Sequence, residues 1–358
     1  MYHSLSKLLS VQLIPLAGAL LSTAIGAQNM GANTTPAVAA ITAFKHLKPA
    51  QQQPLLKLVT TVEKQGPLKL DPTLPADEAL IAALRPHADR SINGSAEMFE
   101  KHQARSLELS MSQQEKKEFI DQVSVQSIPK IDAGSKVVIL GFGGHAARRN
   151  NRQGIVLEAA KDFTDSTIIF ATGERQMQNQ EIISAGLASS PHSKQNECAF
   201  YQANISNLQR QIPKTPIHFC CSSIKEEQYL HPKGSIINRA TTLGNILKIS
   251  EKVNELIAKK AITTTTPLLV CLNGPEAIRM HRMVEKLLVE FNISNPVYLY
   301  TGTKQSPNYD TFFNFVNQTW LIALMEKRMD NVIIPAIKQG LAQQNKAQQS
   351  SDSQQLRK

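Results

Sequence analysis

From residue 136 onward the chain alternates short apolar runs with longer stretches in which apolar residues recur every three or four positions. The short runs are rich in Val, Ile and Leu and end in glycine or polar residues. They predict strands over 136–142, 167–171, 215–221, 267–272 and 296–301. The stretches between them predict helices over about 152–162, 178–188, 197–212, 240–260, 276–291 and 310–340. The last of these carries Trp320 and is expected to bend near Pro335, where the backbone donor is missing. Short β-branched strands separated by helices imply parallel pairing through crossovers. The expected class is therefore α/β, a parallel sheet of about five strands with flanking helices, preceded by a helical N-terminal region.

Upstream, residues 28–130 read as a helical accessory region, an exposed linker or layer. Thr34-Thr35-Pro36 has the chemistry of a helix start, with a helix expected to run to about His46. Pro54, Pro67, Pro72, Pro75 and Pro86 are expected to break the next stretch into short pieces, with one helix over Asp77 to Leu84. Ser112 and Glu115 have capping-box spacing and open a helix to about Val123. Residues 1–27 form a separate unit. No residue from Leu8 to Ala27 is charged, and small residues close the run at Ser22, Ala24, Gly26 and Ala27. That is the layout of a signal peptide or membrane anchor, against the alternative of an apolar helix packed on the domain. The expectation is an exported or membrane-anchored protein facing the periplasmic side. At the other end, residues 341–358 are a polar tail with too little apolar surface to fold, expected to be disordered.

Composition narrows the function classes. Hydrophobic residues make up 42% and charged residues 19%, which suits a globular core. The net charge of +10 is scattered rather than striped, and aromatics are only 5%, so no nucleic acid is expected as a partner. Cys198, Cys220, Cys221 and Cys271 have no C-x-x-C spacing, and His192, His231 and His281 have no ligand spacing, so no metal site is expected. Cys220, Cys221 and Cys271 fall in expected strands and read as buried free thiols.

Candidate chemistry gathers where the strands stop. In open parallel sheets ligands bind outside the carboxyl ends of the strands. The first strand ends in Gly141-Phe142-Gly143-Gly144, glycines that let a ligand approach the backbone. The run through Ala146 also fits G-x-G-x-x-A, but Arg148 to Arg152 intervenes before the helix, which weakens a dinucleotide site. Arg148, Arg149 and Arg152 come after that turn and Arg175 after the next strand, a clustering of rigid forks suited to phosphate or carboxylate or simply to solvated loops. Thr172-Gly173-Glu174 ends the second strand. Glu181 then either accepts from a ligand or stabilises a helix N-terminus. Thr242 and Asn245, one turn apart, present a hydroxyl and an amide together. After the fourth strand Glu276 and Arg279 share a helix face, with a simple ion pair as the plain reading. Thr301-Gly302-Thr303-Lys304 is a further donor-rich turn.

The order Leu140-Gly141, Arg152, Thr172-Gly173, Glu181, Thr242-x-x-Asn245 and Arg279 resembles the YdcF/SanA/ElyC-type family, over about residues 136 to 304. The chain departs from the family pattern in several places. Ser-Gly-Gly is replaced by Thr172-Gly173-Glu174, Ile182 rather than Ala comes after Glu181, and the family His is absent near Pro275 or Glu276. The resemblance implies a Rossmann-like domain, here 131–340, and an envelope-related role for anchored members. It also implies binding of a small anionic ligand such as a nucleotide, S-adenosylmethionine or a lipid-linked phosphate. Its expected ligand-binding residues are Gly141, Gly143, Arg152, Gly173, Glu181, Thr242, Asn245 and Arg279. The alternative from another class is an exported interaction protein or effector, a degenerate Rossmann-like scaffold with a protein partner and no catalysis. The N-terminal segment also makes a membrane a possible partner. A nicotinamide-dependent oxidoreductase is the third reading.

Overall fold

The computed structural model describes residues 35–89, 110–124, 127–132, 134–144, 149–189, 191, 195–228, 241–303 and 312–343. The 1–27 segment, Arg148, Lys304 and the tail from 344 onward lie outside them. Among the described residues four helices come first: α1 (Pro36–Ile41), α2 (Pro49–Glu63), α3 (Ala76–Ala88) and α4 (Gln113–Val123). Next come β1 (Val137–Phe142), α5 (Arg149–Asp162), β2 (Ser166–Gly173), α6 (Asn179–Ser184), α7 (Glu197–Gln211) and β3 (Ile217–Ser222). The chain continues through α8 (Ile224–Glu227), α9 (Thr242–Ala258), β4 (Leu268–Cys271), α10 (Ala277–Glu290), β5 (Val297–Tyr300) and α11 (Phe312–Arg328).

The five strands form one all-parallel sheet in the order β3-β2-β1-β4-β5. This is the α/β parallel sheet that the apolar runs predict, in a Rossmann-like arrangement. Every residue of β1 and β2 is buried, which is why those strands read as unbroken hydrophobic runs. Alternation splits the core into two layers. Val138, Leu140 and Phe142 pack against α9, α10 and the C-terminal helix, while Val137 and Ile139 pack against α5 and α7. The chain steps from β1 out to β3, then returns to place β4 on the other side of β1. The β1–β4 boundary is thus the topological switch point.

The N-terminal helices are not an exposed linker. Helices α1–α4 bury Ala37, Leu55, Leu58, Leu80, Leu84 and Phe119 against Phe312, Phe315, Val316 and Trp320 of α11, making a core of their own. Each large apolar side chain so buried contributes about 1.5–3 kcal/mol. Phe119 meets Phe312 edge-on at 5.1 Å between ring centroids. Polar ties set the rotation of α11: Asn317 Nδ2 donates to Ala88 O at 2.8 Å and Trp320 Nε1 donates to Ile81 O at 3.1 Å.

Three local expectations are corrected. α1 ends at Ile41 rather than near His46, because the chain turns to bury Phe44 and Leu47. Pro54 does not break its segment. α2 runs through it for 15 residues, since the face carrying Pro54, Leu55, Leu58 and Val62 is buried and outweighs one missing backbone bond. Pro86 lies inside α3, which runs on to Ala88 rather than ending at Leu84. Ahead of Pro335 the final helix takes a π-helical turn, Met329–Ile333, and helix continues over 334–343. The Ser112–Glu115 capping box is formed in both directions, at 3.2 and 2.9 Å.

Candidate functional site

Polar and charged groups collect along the carboxyl edge of β1, β2 and β4. β1 delivers Gly143 and Gly144 to that edge. Gly143 has no room for a side chain: a Cβ there would strike the Thr172 hydroxyl and lie 2.8 Å from Glu197 Oε1. Gly144 sits at φ +150°, where a Cβ would lie 2.8 Å from the Arg152 guanidinium. Arg152, in the first turn of α5, donates Nη1 to the Gly143 carbonyl and Nη2 to Glu276 Oε1 at 2.7 Å. Glu276 immediately precedes α10, so this pair spans the switch point. Asn151 and Asn273 make a reciprocal amide pair across the same boundary. The Nε of Arg152 is buried without an acceptor.

Beside this lies a second cluster, at the ends of β2 and β3. Arg175 donates both terminal nitrogens to Glu181 at 2.7 Å each and Nε to Glu197. The two glutamate side chains are only 1% and 6% exposed. The hydrogen bonds with Glu181, with attraction from Glu197, push the Arg175 pKa well above its usual value. Glu181 also accepts from Gln178 N at 2.9 Å, capping α6. Thr172 donates its hydroxyl to Glu197. Tyr201 joins the two clusters: its hydroxyl donates to Gly144 O at 3.2 Å, and it feels the charges of Arg152, Glu197, Arg149 and Arg175. Burial raises its phenol pKa. Arg149 reaches Asn204 Oδ1 at 3.1 Å and lies 5.3 Å over the Phe200 ring.

The remaining expected residues divide. Asn245 accepts from the Ser222 hydroxyl at 2.8 Å, so it reaches the β3 end of the rim. Thr242 is the first residue of α9, and the preceding Thr241 is its N-cap. The N-terminus of α9 is already met by Glu227, a fully buried carboxylate that accepts from Thr241 N at 2.9 and 3.1 Å. Gly244 makes room for it, since a Cβ there would overlap the Glu227 carboxylate. Gly141 is a packing glycine inside β1, with Phe170 2.5 Å from where its Cβ would be. Gly173 ends β2 on the rim.

Arg279 stands apart. The expected pairing of Glu276 with Arg279 is replaced by the bond from Arg152 to Glu276. The Nε of Arg279 donates to Gln318 Oε1 at 2.8 Å and Nη1 approaches Met283 Sδ at 3.4 Å. Among the described residues no carboxylate lies within ion-pair distance of it. Desolvation lowers its pKa, with Glu276 opposing and Arg152 adding to the shift.

Of the three cysteines expected as buried free thiols, Cys221 differs. Cys198, opening α7, and Cys221 of β3 form a disulfide with Cα atoms 5.9 Å apart, leaving Cys220 and Cys271 as buried free thiols. Strand alternation turns Cys221 to the α7 side, away from Cys220. Sequence reasoning also missed Glu197, Tyr201 and Glu227. Glu197 and Glu227 carried only the ordinary signal of an acid near a helix end, and Tyr201 carried none.

Comparison of the chain with protein-family models, with curated proteins and with solved structures finds no match. Among the described residues no group of His, Cys, Asp or Glu is arranged to hold a metal ion, and no helix is long and apolar enough to cross a membrane.

Proposed function

We propose that the chain binds a small anionic ligand in the crevice between β1 and β4, with Arg279 as the charge that the ligand answers. The observation that carries this is the contrast between guanidinium groups. Arg152 and Arg175 are met by glutamates, whereas Arg279 has a neutral amide and a thioether, and no carboxylate among the described residues. Glu276 acts on Arg279 only from beyond ion-pair distance and is already bonded by Arg152, so the desolvation of Arg279 is only partly offset within the chain. An external anion offsets the rest. The orphaned Arg152 Nε adds a second donor at the same boundary. Nucleotides, S-adenosylmethionine and lipid-linked phosphates share the required group, a phosphate or carboxylate matched to a guanidinium fork. The disulfide is consistent with function in an oxidising compartment, outside the cytoplasm.

The test is thermal unfolding with inorganic phosphate, pyrophosphate, AMP and S-adenosylmethionine at matched ionic strength, for the natural chain and Arg279→Met. At about 100 times its Kd a ligand adds about 2.7 kcal/mol. The natural chain should respond. Arg279→Met should not respond, while its ligand-free stability stays equal or rises. An equal response in both proteins would overturn the reading. No response in the natural chain would favour the second reading, an exported interaction protein on a ligand-free scaffold. That reading draws its support from the glutamates that already occupy Arg152 and Arg175.

A further inference from the structure

Helix α10 carries two arginines, Arg279 and Arg282, that both reach α11, and α11 treats them differently. Arg282 receives a carboxylate: its Nε and Nη2 lie 3.1 and 2.9 Å from the two oxygens of Glu326. Arg279 receives the side-chain carbonyl of Gln318 at 2.8 Å. Glutamate has the same reach as glutamine and differs in one terminal atom. A Glu at 318 would accept the same bond and also cancel the charge. The amide fixes the direction of the guanidinium and leaves its charge in place. The thioether of Met283 is a second neutral acceptor on the same group.

The position of Gln318 is itself set from outside the sheet domain. Its neighbours Asn317 and Trp320 bond to Ala88 O and Ile81 O of α3, and the α11 face around them is buried among α1–α4. We infer that Gln318 is a positioning residue for the anion site, and that the N-terminal helical layer holds it there and so forms part of that site's construction. The inference rests on the anionic-ligand reading above. It adds that the acceptor on Arg279 must be neutral and must be held by α11.

Two variants test it, with inorganic phosphate as the probe and affinity measured by titration calorimetry. Gln318→Glu should abolish phosphate binding while ligand-free stability is kept or raised, a combination that a purely structural role does not produce. Gln318→Leu removes the acceptor and should weaken binding about tenfold. The one tryptophan of the chain, Trp320, lies two residues away, and its unchanged emission would show that α11 remains packed in both variants. If the natural chain binds phosphate, Arg279→Met does not, and both Gln318 variants bind as the natural chain does, the inference alone is overturned. If the natural chain does not bind phosphate, or Arg279→Met binds it equally well, both the inference and the underlying reading fall.

Discussion

Replacing Arg175 with Met tests the electrostatic logic of the rim without any ligand. The substitution removes a guanidinium that meets Glu181 through two bonds of 2.7 Å and also pairs with Glu197. It leaves two carboxylates, 1% and 6% exposed, facing each other with the Thr172 hydroxyl and the Gln178 N–H as remaining named donors. Breaking a buried pair by removing one partner costs about 3–5 kcal/mol, and here one cation serves two anions. Against a total stability of about 5–15 kcal/mol that is a large fraction, equivalent to a fall in Tm on the order of 10 °C. The same crowding sets the sign of the pH dependence. In the variant the desolvated carboxyls have folded pKa values raised above the unfolded value of about 4.3. The folded state then binds more protons than the unfolded one, so stability falls as pH rises through that window and recovers below it. Urea unfolding near neutral pH and at about pH 5 should show the deficit shrinking by about 1.4 kcal/mol for each pH unit and proton involved. A deficit below about 1 kcal/mol, or one of equal size at both pH values, would refute the argument.

Other expectations concern the covalent and steric framework. Cys198→Ser should cost about 3 kcal/mol, the loop-closure value for a sequence separation of 23, with urea unfolding under non-reducing conditions as the measure. Thiol titration of the unfolded, unreduced chain should find the two free cysteines, Cys220 and Cys271, and reduction should bring in the other pair. A count of four before reduction would exclude the disulfide. Gly143→Ala should destabilise by about 1–3 kcal/mol through overlap with Thr172 and Glu197. Gly154→Ala, in the open on α5, should stabilise by up to about 1 kcal/mol, and parallel unfolding curves for the two variants check both signs.

The sheet was legible because its signal is local. The expected strand over 136–142 is Val137–Phe142, buried on both faces and therefore apolar throughout, and the one over 296–301 is the edge strand Val297–Tyr300, apolar although Tyr298 is exposed. The location of polar groups at the strand ends was legible for the same reason. Their partners were not. Arg152 meets Glu276, 124 residues away in sequence, and Arg279 meets Gln318 across 39, and no spacing rule links such pairs. Adjacent Cys220 and Cys221 read as one buried kind, yet alternation sends only the second toward α7. Pro54 misled because propensity is a weak prior against a buried face. Glu181 caps α6 by accepting from Gln178 N, a role its spacing suggested, whereas its pairing with Arg175 had no signal in the sequence.

The place of α11 has a consequence for how the chain is made. The apolar faces of α1–α4 are completed by Phe312, Phe315, Val316 and Trp320, contributed near the far end of the polypeptide. During synthesis the earliest helices can therefore pack only on one another, with the α11 side of their core open, until some two hundred residues later, when α11 leaves the ribosome. The leading segment must be shielded over that interval, and a nascent chain halted before residue 312 should expose it to proteases and chaperones even after the sheet has assembled.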